Sequence, residues 1–157
     1  WTQRSNLLYC DKARLNTAKI LAVWCPDKII GSRWVPIRIA PREREREREK
    51  ALSLYLNSTL GIVSAVASAA PNVLSRVNLS LDAIRSIPVP ELTDQQARTL
   101  ADAFDVYAEV ELLTLADATT DGVRIALDES VALALKIPLD TIAQARSELS
   151  REPSVQG

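Results

Sequence analysis

The chain has 157 residues, 47% apolar and 25% charged, with 19 Lys+Arg against 20 Asp+Glu and a net charge of −1. That is enough chain for one packed core, and no window approaches an apolar run long enough to cross a bilayer, so no membrane partner is expected. There is no His, and Gly31, Gly61, Gly122 and Gly157 are scattered, which excludes Ser-His-Asp and Cys-His nucleophile systems and any Gly-rich phosphate loop within this sequence.

With no Met at all, the chain is expected to be a piece of a longer product. Cys10 and Cys25 lack the clustered partners that a zinc site needs. A disulfide between them is the alternative to two free thiols, and free thiols are expected. No catalytic or metal-binding residue is expected in this chain.

The first forty residues read as strands. Leu7–Cys10 is a short apolar run, and Ala18–Cys25 is a longer one that Pro26-Asp27 is expected to stop as a turn. Arg33–Ile39 follows the Gly31-Ser32 turn, and Pro36 makes it an edge strand or a bulged one. The Arg-Glu alternation from Arg42 to Glu49 reads as the solvated start of a long helix running from about Arg42 to Ala70. Leu52, Tyr55, Leu56, Thr59, Ile62, Val63 and Val66 mark its buried face; Asn57 and Ser58 are expected to fix a bend or pack against the sheet, and Gly61 to allow close packing or mark a break.

Ser75–Leu79 reads as a strand, and Ser80 caps a short helix over Leu81–Arg85. Thr93 with Gln96 makes a capping box for a helix expected to reach about Ala118. Helices over about Gly122–Leu135 and Thr141–Ser150 follow, the second capped by Asp140, and the tail from Glu152 is expected to be extended. The pattern predicts an α+β fold: a small, mostly antiparallel sheet packed with helices, plus a helical C-terminal extension. The expected division is 1–90 for the α+β part, incomplete at its N-terminus, and 91–157 for the extension.

Charge is divided unevenly. Residues 1–50 carry 12 Lys+Arg against 6 Asp+Glu, and residues 51–157 carry 7 against 14. A basic half joined to an acidic half points to nucleic-acid contact on one face. Phosphate neutralisation supplies affinity for a duplex and polar contacts to base edges supply specificity. The candidate DNA contacts are Arg14, Lys19, Arg33, Arg38 and Arg76, with Asn16, Asn72 and Asn78 as candidate readers. The alternative for each Arg is a solvated surface residue, and for Asn78 a turn or backbone-bonding role.

Three stretches, taken in order, resemble a known family. Leu54–Gly61 looks like the "WLNSTLG" helix in the C-terminal target-recognition region of restriction–modification DNA adenine-N6 methyltransferases. Val77–Ile84 followed by Ile87-Pro88-Val89-Pro90 resembles the strand, short helix and "IPVP" exit that come next there, an order also seen in type I specificity subunits. Arg124 and Asp128 through Pro138, then Ala145-Arg146 and Ser150–Val155, are similar to the C-terminal end of the same enzymes.

The resemblance implies DNA target recognition within a cytoplasmic adenine methyltransferase. Its partners would be double-stranded DNA and a catalytic domain or subunit that holds S-adenosylmethionine, with no cofactor in this chain. An Asn/Asp-Pro-Pro-Tyr/Phe motif would lie in that catalytic domain, and this chain has no Pro-Pro pair. The competing expectation, favoured by the acidic residues 91–157, is a non-catalytic helical module that docks a protein.

Overall fold

The computed structural model describes residues 4–40, 43–69 and 76–156. Its elements are β1 (Ser5–Cys10), β2 (Lys12–Arg14), β3 (Ala22–Ile29), β4 (Trp34–Ile37), α1 (Glu45–Asn57), α2 (Thr59–Ser68), β5 (Arg76–Asn78), α3 (Leu81–Ser86), α4 (Asp94–Tyr107), α5 (Gly122–Leu135), α6 (Leu139–Arg151) and α7 (Pro153–Gln156). The fold is α+β, with an antiparallel three-stranded sheet in the order β3-β1-β4 and a separate antiparallel ribbon of β2 and β5. One buried core draws Leu7 and Tyr9 from the sheet, Leu56 and Ile62 from the first two helices, and Leu127, Leu149 and Val155 from the C-terminal helices. The described residues of 1–90 and of 91–157 therefore share a single hydrophobic interior.

Pro36 lies on β4, which is an edge strand as its missing N–H demands. Pro26-Asp27 does not end its strand, contrary to expectation. β3 runs on to Ile29, and the pairing shifts between Leu7↔Trp24 and Ser5↔Ile29. Asn6 Nδ2 donates to the carbonyls of Cys25 and Pro26 at 2.8 and 2.9 Å. A side chain thus takes up acceptors that the irregular ladder leaves over, which is how a proline survives there.

The expected single helix from about Arg42 to Ala70 is two helices bent by 71°. Ser58 is extended between them. Its N–H bonds Tyr55 O at 3.0 Å, closing α1, and its Oγ accepts from Gly61 N at 3.3 Å, opening α2. A Cβ on Gly61 would stand 2.3 Å from Tyr55 O, so the sharp turn requires glycine.

Buried polar groups hold this junction. Asn57 accepts from Leu21 N and Ala22 N at 2.8 and 2.9 Å and donates back to Ala22 O at 2.8 Å, tying α1 to β3. Asp128 accepts from Thr59 N at 2.8 Å, Thr59 Oγ1 at 2.6 Å and Arg146 Nη1 at 2.6 Å. Arg124, fully buried, donates to Asn57 O at 3.0 Å and Lys19 O at 2.6 Å. The acidic C-terminal helices therefore dock on the sheet-bearing part through charged side chains.

The Arg-Glu run is less solvated than expected. Glu49 is buried and accepts from Trp24 Nε1 at 3.1 Å. Lys50 bonds Asp105 at 2.6 Å and sits 5.0 Å from the Trp24 ring centre. Arg48 donates to Leu92 O at 3.2 Å and pairs with Asp94. One turn of α1 thus clamps the sheet to α4.

Three further expectations are corrected. α4 stops at Tyr107 and does not reach Ala118. Leu112 is buried from irregular chain and Leu115 from a single 3-10 turn, Leu115–Asp117, and Asp121 accepts from Leu113 N at 2.8 Å while capping α5 through Val123 N and Arg124 N. α6 begins at Leu139, with Pro138 at its N-cap and no capping bond from a side chain, so Asp140 lies inside the helix. The tail is not extended: α7 forms, and Val155 is completely buried. Among the described residues, no single helix is long and apolar enough to cross a membrane.

Candidate nucleic-acid interface

After β1 the backbone turns at Asp11, whose N–H bonds Arg33 O at 3.2 Å and whose carbonyl accepts from Leu79 N at 2.8 Å. Those two bonds set the β2–β5 ribbon against the end of the main sheet. Cys10 Sγ also donates to Lys12 O at 2.9 Å. Burial pushes that thiol up, with Asp11 adding to the effect while the bond to Lys12 and the Arg33 charge oppose it. The thiol stays protonated and serves as a donor. Cys10 and Cys25 are both free thiols.

The register of the ribbon is Lys12↔Asn78, Ala13↔Val77 and Arg14↔Arg76. Strand side chains alternate between faces, so directly opposed residues point the same way. Ala13 and Val77 turn to the core. Lys12, Arg14, Arg76 and Asn78 therefore share the outer face, and all four are exposed. Together with exposed Arg33 they line a concavity of about 390 Å³.

None of Lys12, Arg14, Arg33 and Arg76 has a carboxylate partner among the described residues. Arg14 stands directly across from Arg76, a like-charge pairing that disfavours the ribbon. Asp11 lies next to Lys12 in the chain, and its Oδ1 is buried without a hydrogen-bond partner among the described residues. The arrangement concentrates four positive charges on one concave face and leaves them for an anion.

Of the residues expected to touch DNA, Arg14, Arg33, Arg76 and Asn78 are brought together here. Asn78 lies on β5, and among the described residues its side chain bonds no backbone group. Lys19 lies elsewhere. It pairs with Glu111 at 2.6 Å beside a second concavity of about 810 Å³ that includes Trp24 and Phe104. Arg38 is exposed beyond the far end of β4 from Arg33. Asn72 lies outside the described residues, and Asn16 sits in the turn after β2 with its side-chain oxygen buried and unbonded. Lys12 was missed by the sequence reading. Its spacing of two from Arg14 was the available signal, but three residues poor in strand formers gave no reason to read them as a strand.

Gly31 is packed against the Trp34 side chain and Gly61 against the α1 backbone, while Gly122 only opens α5. No family model, curated protein or solved structure matches this chain.

Proposed function

We propose that this chain is the DNA target-recognition part of a restriction–modification adenine methyltransferase, acting beside a catalytic domain or subunit outside this sequence. The observation that carries the DNA part of this reading is the face formed by Lys12, Arg14, Arg33 and Arg76, four cations without a carboxylate partner among the described residues. The methyltransferase part rests on the ordered resemblance of Leu54–Gly61, Val77–Pro90 and the C-terminal helices to that family. Here the chain holds the duplex and selects its sequence. S-adenosylmethionine and the reacting adenine belong to the catalytic domain, which would flip the base out of the stack.

Each cation that meets a phosphate releases a condensed counterion, so affinity falls with salt by about 0.9 per contact on log–log axes. Four contacts give a slope of about −3.6. The test is fluorescence anisotropy with a mixed-sequence duplex at several salt concentrations. A slope near that value supports the reading, and no binding at low salt removes it.

A second reading, a protein-docking module, is favoured by Leu133 and Leu139, which are 76% and 56% exposed on α5 and α6. Protein docking through that edge would be indifferent to charge removal on the ribbon. DNA binding would not be.

A further inference from the structure

The cationic face has an internal order. Arg14 and Arg76 occupy one end of the ribbon, Lys12 and Asn78 the other, and Arg33 follows next to Asp11. Antiparallel strands rise about 3.4 Å per residue, so Asn78 stands roughly 6.8 Å from the Arg14–Arg76 pair. Arg33 stands about 10 Å along from that pair and one strand spacing, about 5 Å, to the side.

These lengths match one feature of B-form DNA. Its major groove is about 12 Å wide and admits a two-stranded ribbon. Cations separated by about that width can meet phosphates on its two walls. A side chain midway between them then lies over the base edges.

The chemistry at each station agrees. An anion between Arg14 and Arg76 relieves the repulsion of their direct cross-strand pairing. Among the described residues that line this concavity, Asn78 is the one uncharged polar side chain. It carries both a donor and an acceptor, the pair that recognises the N6 and N7 edge of adenine.

Resting on the DNA-binding reading above, we infer that the β2–β5 ribbon enters the major groove, with Arg14–Arg76 and Arg33 on phosphates of its two walls and Asn78 reading a base edge. Asn78 is thus a specificity-determining residue, and Arg14 and Arg76 are affinity residues blind to sequence. A-form RNA is not a substrate for this mode, because its major groove is too narrow for side chains to read.

The test selects binders from a pool of randomised DNA duplexes with the full 157-residue chain, its Asn78→Ala variant and its Arg14→Gln/Arg76→Gln variant. Circular dichroism confirms that each variant is folded. The wild-type chain is expected to enrich a defined site. Asn78→Ala should lose preference at one or two adjacent positions and bind the wild-type site at least about fivefold more weakly. Its salt slope should stay unchanged. The double arginine variant should keep the sequence preference while its slope shrinks by about 1.8.

An unaltered selected site with Asn78→Ala overturns the inference while leaving DNA binding intact. Enrichment of no site by the wild-type chain does the same, as does binding an RNA duplex as tightly as DNA. Absence of salt-dependent binding to any duplex removes both this inference and the DNA-binding reading.

Discussion

At the α1–α2 junction, Arg124, Asp128 and Arg146 are each held by hydrogen bonds within the fold. On the β2–β5 ribbon, Lys12, Arg14 and Arg76 have no such partners among the described residues. Both regions draw on arginine, asparagine and neighbouring polar residues. The difference is where the compensating charge or acceptor comes from. Buried groups must find it inside the chain, because leaving them unpaired costs several kcal/mol. Exposed cations incur no such cost in water and can wait for a ligand. The Leu54–Gly61 stretch, one of the three that carry the resemblance, holds Asn57 and Thr59 of the first kind and shapes the scaffold.

Variants can break this comparison, beginning with the largest effect. Asp128→Ala strands Arg146 without its carboxylate and leaves both Thr59 donors unmet, so it should lower stability by about 4 kcal/mol in urea unfolding. A loss under about 1 kcal/mol would mean the junction is not held this way. Gly61→Ala sets a contact of 2.3 Å against the propensity gain of about 1 kcal/mol that alanine brings to a helix. Overpacking against fixed backbone should win, with a net loss of about 1–2 kcal/mol. A stabilised variant would show that the bend relaxes freely.

Glu49 sharpens the contrast through pH. Burial raises its carboxyl above the ordinary glutamate value, against the opposing bond from Trp24. The folded state therefore holds that proton more tightly than the unfolded chain. Stability should fall as pH rises from the ordinary value through the raised one, and stay lower beyond it. Glu49→Gln should flatten that decline, read as unfolding midpoints across the acidic range. An identical decline in the variant would assign it to another group. The smallest effect belongs to Arg14→Gln/Arg76→Gln. Removing a like-charge pair should raise stability by a few tenths of a kcal/mol while weakening DNA binding. A marked loss of stability would make the pair structural.

Local signals were legible. Thr93 and Gln96 form the expected capping box, Ser80 caps α3, and Pro36 sits on an edge. What escaped depends on partners distant in sequence. Nothing near Pro26 reveals that Asn6 will satisfy the bulge, and nothing near Tyr107 shows that Asp121 will capture Leu113 N. The candidate site was half readable. Arg14, Arg33, Arg76 and Asn78 stand out by residue type, but their meeting depends on a ribbon whose strands are read separately. Lys19 has the same chemistry, and only its partner Glu111 distinguishes it.

The ribbon pairs three residues on each side across a separation of at least 62 positions. Such pairing must close a long loop before any of its bonds is made, whereas helices gain theirs locally. The proposed reading surface should therefore assemble after the helical core, and in the native state it should open before that core does. Hydrogen exchange would show this as faster exchange at Val77 than at Tyr9, slowed when DNA is bound. Equal protection of the two amides would mean that the ribbon and sheet open together. A surface that forms last is one whose order a duplex can strengthen.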